Sequence, residues 1–298
     1  MKGTSQRWFD HLTPTDRALL SRAAGEAGVP PPEAATNSHA LARVLSHPAT
    51  FQLVFASPED ALLPPETEPQ LVPASPFLTF ALVVHRSWAD LQSASHVEEW
   101  VGARQRLPVL GGDDLRDFLA ADDRRLFLTE LLSSYTRVTS GSAWVHTTRG
   151  WRRHRYSELD PVRLASMLEF VPEEERPGVY RRLGDLALFL TGVFPDHTEL
   201  HGLRPLDEGR LLRLSGLPAE PEGQAGLGGT GGAVALLERL GKRWYRLASR
   251  TMRHPVTGTM TVVAEMADHF SAARRSLNYM TDRHLFPYRA GWFGREAS

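Results

Sequence analysis

The chain has 298 residues and a mass of 33.2 kDa, which suffices for one large domain or two ordinary ones. Hydrophobic residues make up 42% and charged residues 23%, a mixture that excludes a mainly disordered chain. The 34 Lys and Arg against 35 Asp and Glu leave a formal net charge of -1, which argues against a dedicated nucleic-acid binder.

Cysteine is absent from the chain. Disulfides, cysteine nucleophiles, iron–sulfur clusters and cysteine-containing zinc sites are therefore excluded. The N-terminal residues lack the apolar core of a secretory signal, and the longest apolar stretch, residues 77–84, is far shorter than the about 20 residues that cross a membrane. We therefore expect a cytoplasmic protein that does not enter a membrane.

The first predicted helix begins at Thr13-Pro14, because threonine can cap a helix and proline fits its first position. It is expected to end near Gly25. A second helical stretch should begin at Asn37 or Ser38 and be interrupted at Pro48.

Residues 57–76 contain six prolines and cannot hold a helix or a central strand. This segment is predicted to be a surface connection between a small N-terminal helical unit, residues 1–56, and a main helical domain, residues 77–298. Helices on both sides could equally form one core.

Apolar residues at helical spacing predict a helix over residues 77–91. A short helix over residues 97–103 and a long one over residues 113–138 are expected to follow. Residues 143–156 are rich in aromatic and branched side chains around Arg149-Gly150, which predicts a two-stranded hairpin.

Asp160-Pro161 is predicted to begin a helix that ends near Val171. Residues 178–194 are apolar on every side after Asp185, so this helix should be buried, with Gly184 and Gly192 allowing close approach of its neighbours.

Residues 216–232 contain seven glycines and predict a flexible loop, and further helices are expected over residues 233–247 and 259–286. The predicted fold class is all-α, an irregular multi-helix bundle with one short β-hairpin at about 143–156.

Three segments of the chain are similar in sequence, and in their order, to segments of one group of proteins. They are residues 184–196, 236–249 and 274–287. Together they resemble a family of uncharacterised, mainly helical bacterial proteins with no assigned activity. The resemblance covers roughly the C-terminal two-thirds of the chain. It implies a helical fold and a bacterial source, and it carries over no catalytic residue.

The densest basic run in the chain lies in the predicted hairpin and is interleaved with two aromatic residues. Its members are Arg149, Trp151, Arg152, Arg153, Arg155 and Tyr156. Such a run suits a phosphate-bearing ligand, an acidic protein or single-stranded bases. The alternative is a solvated hairpin in which Trp151 and Tyr156 pack downward while the arginines face water.

Polar residues in otherwise apolar helical segments form a second candidate group: Asp185, Asn278 and Asp282. A buried carboxylate must be paired or change its pKa. Arg181, Arg182 and Arg283 are the expected partners. The group would be either a set of internal ion pairs or a pocket between helices.

Two histidine-containing pairs have a spacing that occurs in metal sites. His197 and His201 are one helical turn apart, but Glu199 lies midway between them, which departs from both zincin patterns. Glu265 and His269 are likewise four residues apart on a predicted helix. A solvated surface pair is the alternative for each.

A glycine pattern typical of dinucleotide-binding turns occurs at residues 226–231, but no strand precedes it and no acidic residue follows at the required distance. We interpret it as a loop ending at a helix cap.

These observations favour a binding or accessory protein that acts through a basic aromatic patch or a groove between helices. Its expected partner is another protein, with a small-molecule ligand as a second option. A helical enzyme with a His/carboxylate pocket, metal-dependent or not, and a nucleic-acid-linked regulator are the alternatives. The sequence indicates no particular cofactor.

Overall fold

Helices dominate the architecture of the chain. A computed structural model describes residues 4–30, 37–55, 74–138, 140–147, 150–218, 232–251 and 258–287. Its α-helices are α1 (Thr4–His11), α2 (Pro14–Glu26), α3 (Ser38–Ser46), α4 (Pro48–Phe55), α5 (Pro76–Ser93), α6 (Asp113–Ala120), α7 (Asp122–Ser134), α8 (Pro161–Ser166), α9 (Arg176–Val193), α10 (Pro195–His201), α11 (Pro205–Ser215), α12 (Ala233–Thr251), α13 (Gly258–Asp268) and α14 (Phe270–Met280).

Two hairpins and two irregular turns complete these elements. The strands are β1 (His96–Gly102) with β2 (Gln105–Leu110), and β3 (Ser140–Thr147) with β4 (Gly150–Ser157). A 3₁₀ turn (Met167–Glu169) follows α8, and a π-helical turn (Thr281–Leu285) continues α14. The fold class is therefore all-α with small hairpins, and in the described part of the chain no helix has the length and apolar character to cross a membrane.

Side-chain caps explain where several helices begin. Thr13 Oγ1 accepts a hydrogen bond from Asp16 N at 3.1 Å, and Asp16 Oδ2 accepts one from Thr13 N at 2.9 Å. Asn37 caps α3 and Asp160 caps α8 through a side-chain oxygen that accepts hydrogen bonds from backbone N–H groups of the first turn. The predicted starts of α2, α3 and α8 are confirmed. Helix α1 was not predicted.

The predicted short helix over residues 97–103 is wrong, because this segment forms β1. Its turn to β2 places Arg104 at φ 59°, a conformation that costs a non-glycine residue free energy. Asp196 stabilises the turn, because its Oδ1 accepts hydrogen bonds from Arg104 N at 2.6 Å and Trp100 Nε1 at 2.8 Å. Arg106 adds two further hydrogen bonds to the same carboxylate.

The predicted single helix over residues 113–138 is also wrong, because it is divided into α6 and α7 at Ala121. Ala121 has extended backbone angles, φ -76° and ψ 122°. Arg125 makes the break favourable, because its Nη1 donates to the carbonyls of Leu119 and Ala120 at the end of α6, where a helix runs out of its own N–H donors.

The chain divides into two units. The first comprises Met1–Val97, Val109–Thr136 and Tyr279–Ser298. Its central element is α5, which is buried along most of its length and packs against α3, α4, α6 and α7. Helices from both sides of residues 57–76 thus share this unit, and most of the proline-rich connection itself lies outside the described residues, so the predicted boundary there stays a prediction.

The second unit comprises Glu98–Pro108 and Arg137–Asn278. Its main contact joins α9 to α12, and α8 contacts β4, α9 and α11. The predicted close approach at two glycines of α9 is present: a Cβ on Gly184 would meet the ring of Tyr245, and one on Gly192 would meet Leu277. The predicted glycine-rich loop lies almost entirely outside the described residues.

Candidate functional site

The β3–β4 hairpin carries the basic aromatic run, and its register decides which residues share a face. The strands pair antiparallel, with Trp144 opposite Arg153 and His146 opposite Trp151. Directly opposed residues share a face, and successive residues alternate between faces. One face therefore has positions 142, 144, 146, 151, 153 and 155, and the other has positions 141, 143, 145, 152, 154 and 156.

This register separates the two aromatic residues of the basic run. Trp151 and Tyr156 occupy positions on opposite faces, so the interpretation that both pack downward is wrong. Arg152 shares the face of Tyr156, whereas Arg153 and Arg155 share that of Trp151. Each face thus combines an aromatic residue with at least one arginine. Arg149 lies outside the described residues.

The hairpin segment carries formal charges of one sign only. Residues 140–157 contain four arginines and neither Asp nor Glu, in a chain whose net charge is -1. A guanidinium group can form paired hydrogen bonds to a carboxylate or a phosphate. The arrangement is therefore suited to holding an anionic group.

Asp185 is buried within the second unit, where Tyr245 and Arg181 lie close to its carboxylate. Its Oδ1 accepts a hydrogen bond from Tyr245 Oη at 2.9 Å, and its Oδ2 lies 3.9 Å from Arg181 Nε. Arg182 and Arg283 were the other expected partners of the buried polar group. They form ion pairs with different carboxylates, those of Glu158 and Asp90.

Asn278 is buried and ties α14 to the end of α9. Its Nδ2 donates to the carbonyl oxygens of Thr191 and Gly192 at 3.1 and 2.6 Å, and its Oδ1 accepts a hydrogen bond from Arg274. Asp282 is half-buried in the π-helical turn and belongs to the first unit. The three polar candidates therefore do not form one pocket in either unit.

The structure reveals a polar cluster that the sequence analysis missed. Glu238 on α12 accepts hydrogen bonds from Lys242, Ser271 and Arg274, and Lys242 Nζ also lies 2.9 Å from Ser271 Oγ. Two signals could have pointed to it. Lys242 is one of only two lysines in the chain, and Glu238 and Lys242 are four residues apart on a predicted helix.

The chemistry of this cluster is that of an ion network. Burial alone would raise the pKa of Glu238, but hydrogen bonds from Lys242 and Ser271 and the charge of Arg274 outweigh it, so the pKa lies below its ordinary value. Because its pKa is lowered, the Glu238 carboxylate is a weak base and does not readily remove the Ser271 proton. The cluster therefore favours fixing α12 to α14 over activating a serine nucleophile.

The two metal candidates lie on different helices of the second unit. His197 and His201 are exposed on α10, with ring centroids 4.2 Å apart. Glu265 is half-buried on α13, and His269 is exposed just beyond its end. Over the ranges that the structure describes, no three His, Asp or Glu side chains form a group that could hold a metal ion.

A buried carboxylate–imidazole contact lies in the first unit. Asp90 on α5 accepts hydrogen bonds from Arg283 and forms an ion pair with Arg86, and its Oδ2 is 3.3 Å from His284 Nε2. Burial and the charges of Arg283 and Arg86 outweigh the attraction of Asp90 and lower the pKa of His284 to about 4. His284 is therefore neutral at pH 7.

Comparison with known proteins identifies no relative. No protein-family model, curated protein or solved structure matches the chain. The resemblance carried by residues 184–196, 236–249 and 274–287 stays an expectation, and the roles of the site residues are argued from their geometry alone.

Proposed function

We propose that the chain is a helical binding protein whose β3–β4 hairpin captures an acidic segment of a partner protein. The observation that carries this proposal is the register of the hairpin, which leaves each face with an aromatic residue and an arginine. If one face of a two-stranded hairpin packs against the body of the protein, the other face is still basic and aromatic.

The face of Trp144, Trp151, Arg153 and Arg155 is proposed as the binding face. It has two of the three arginines whose register is described, and His146 stands opposite Trp151. The other face has Ala143, Val145 and Tyr156, which are better suited to packing. Arginine and tryptophan are also the residue types that contribute most to binding at protein interfaces.

A single-stranded nucleic acid is the second candidate partner, and one observation favours it. On the proposed face each tryptophan stands directly opposite a basic residue, Trp144 opposite Arg153 and Trp151 opposite His146. Bases stack on aromatic rings while arginines hold phosphates. The net charge of -1 for the whole chain favours the acidic protein.

The test compares two neighbouring arginines that lie on opposite faces. A fluorescein-labelled 12-residue polyglutamate peptide serves as the probe, and its anisotropy is followed as protein is added at low salt. Arg153→Ser should weaken binding about tenfold or more, because a charge-assisted hydrogen bond contributes about 1.5–3 kcal/mol. Arg152→Ser removes the same charge and should change the dissociation constant less than about twofold, because position 152 lies on the opposite face of the hairpin from the proposed contacts.

Equal effects of the two substitutions would show non-specific attraction and contradict the proposed face. No binding of the peptide by the unsubstituted protein would contradict the proposal itself.

A 12-residue oligothymidylate is titrated in parallel. Tighter binding of this strand than of the peptide, with the same loss in Arg153→Ser and a steep salt dependence, would replace the acidic protein by a nucleic acid.

A further inference from the structure

Helix α10 has two carboxylates, and both are held by other elements of the second unit. Asp196 accepts the hydrogen bonds of the β1–β2 turn. Glu199 Oε2 accepts a hydrogen bond from Val234 N at 3.1 Å, at the start of α12. The negative charge of Glu199 also interacts favourably with the positive end of the helix dipole there. Glu199 is therefore directed away from the histidine pair on this helix, His197 and His201.

The geometry of the two imidazoles is specific. Both rings are exposed, their centroids lie 4.2 Å apart, and their planes differ by 26°. His201 Nδ1 lies 3.1 Å from the carbonyl oxygen of His197. A carbonyl oxygen only accepts hydrogen bonds, so this contact selects the tautomer of the neutral imidazole in which Nδ1 of His201 carries the hydrogen and Nε2 has the lone pair.

We propose that His197 and His201 together bind one divalent transition-metal ion of the zinc, nickel or copper class. Imidazole nitrogens are the preferred ligands of these ions. A hydrogen bond from the second ring nitrogen to a carbonyl is the usual way in which a metal-binding histidine is held in the correct tautomer. His201 has this hydrogen bond, to the carbonyl oxygen of His197.

The position of Glu199 distinguishes this histidine pair from the active site of a zinc peptidase. Zinc peptidases need a glutamate aligned with their two histidines to act as the base, and Glu199 is engaged with α12. The site therefore binds a metal without hydrolytic chemistry of this kind. Two protein ligands leave the remaining coordination positions to water or to a group from another molecule. Magnesium, which prefers oxygen ligands, is not bound.

Isothermal titration of the full, metal-free chain at pH 7.5 tests the site, with CuCl₂, NiCl₂, ZnCl₂ and MgCl₂ as titrants. One ion should bind per chain, copper most tightly and magnesium not at all. His197→Ala and His201→Ala should each weaken nickel and zinc binding by about tenfold or more. His39→Ala, which removes an exposed histidine from α3, is the matched control and should leave binding unchanged.

Electron paramagnetic resonance of the copper-loaded protein gives an independent readout of the ligands. The unsubstituted chain should show coupling to two imidazole nitrogens, and each variant coupling to one. An unchanged dissociation constant in both variants, or an equal loss in His39→Ala, would overturn the proposal. So would the absence of nickel and zinc binding by the unsubstituted chain. His201→Gln, which keeps a polar side chain at that position, replaces His201→Ala if the alanine variant does not fold.

Discussion

Gly184 sets the distance between α9 and α12. A Cβ at this position would lie 2.5 Å from two ring atoms of Tyr245, a side chain that is fully buried and bonded to Asp185. The hydrogen bond to Asp185 limits how far the ring can shift. Gly184→Ala should therefore lower the free energy of unfolding by about 1–3 kcal/mol, although alanine favours the helix itself. Urea unfolding followed by tryptophan fluorescence measures this change.

A control for this substitution exists in the same helix. Gly178 is also in α9, and a Cβ there meets no atom within 4 Å. Gly178→Ala should leave stability unchanged or raise it by up to about 1 kcal/mol, because alanine loses less conformational entropy than glycine. The same sign of change in both variants would contradict the packing argument.

Single residues differ in how far the sequence predicts their role. The role of Gly184 could be predicted, because glycine in an apolar helix has few uses other than close packing. The cluster of Glu238 with Ser271 and Arg274 could not. It joins residues more than 30 positions apart, and their meeting depends on how α12 and α14 pack.

At the scale of elements, the break between α6 and α7 depends on Arg125. This guanidinium is buried, donates to the carbonyls of Leu119 and Ala120, and pairs with Asp122 at 3.1 Å. Arg125→Met keeps the length of the side chain but leaves these acceptors without their donor. It should lower the free energy of unfolding by about 3 kcal/mol or more, measured by urea unfolding.

Arg124 is the control for this prediction, since it is adjacent and lies over the ring of Phe118 at 5.5 Å. Arg124→Met should cost less than about 1 kcal/mol, because it is only half-buried and a cation–π contact at such a site contributes about that much. If the two substitutions were equally destabilising, the carbonyl contacts of Arg125 would not explain the break.

Elements with a local cap were predicted correctly, and elements defined by distant contacts were not. Thr13, Asn37 and Asp160 identify helix starts because their hydrogen bonds are made within three residues. In residues 97–103 the apolar residues Val97, Trp100 and Val101 follow the spacing of a helix, but a segment this short can also form a strand. In the structure, Trp100 and Arg104 of the hairpin donate hydrogen bonds to Asp196, which is more than 90 positions away in the sequence.

At the scale of the whole molecule, the two buried histidines among the described residues make stability sensitive to acid. His85 on α5 is 1% exposed, and burial, with the nearby charge of Arg125, places its pKa well below the ordinary 6.5. The pKa of His284 is about 4. Carboxylates with a lowered pKa, such as Glu130, change the pH dependence of stability only below about pH 4.5, the ordinary pKa of glutamate. Between pH 6.5 and 5 the histidines therefore dominate.

As the pH falls below 6.5, His284 and His85 bind protons in the unfolded chain but stay neutral in the folded state. The free energy of unfolding therefore decreases as the pH falls. Each histidine contributes up to about 1.4 kcal/mol per pH unit, and His284 about 3 kcal/mol in total between pH 6.5 and 4.

His284→Gln should reduce the slope of unfolding free energy against pH by about one proton between pH 6.5 and 5. His39→Gln, at an exposed position, should keep the full slope. Because only the slope is compared, a loss of overall stability in His284→Gln does not affect the result, and an unchanged slope would contradict the burial argument.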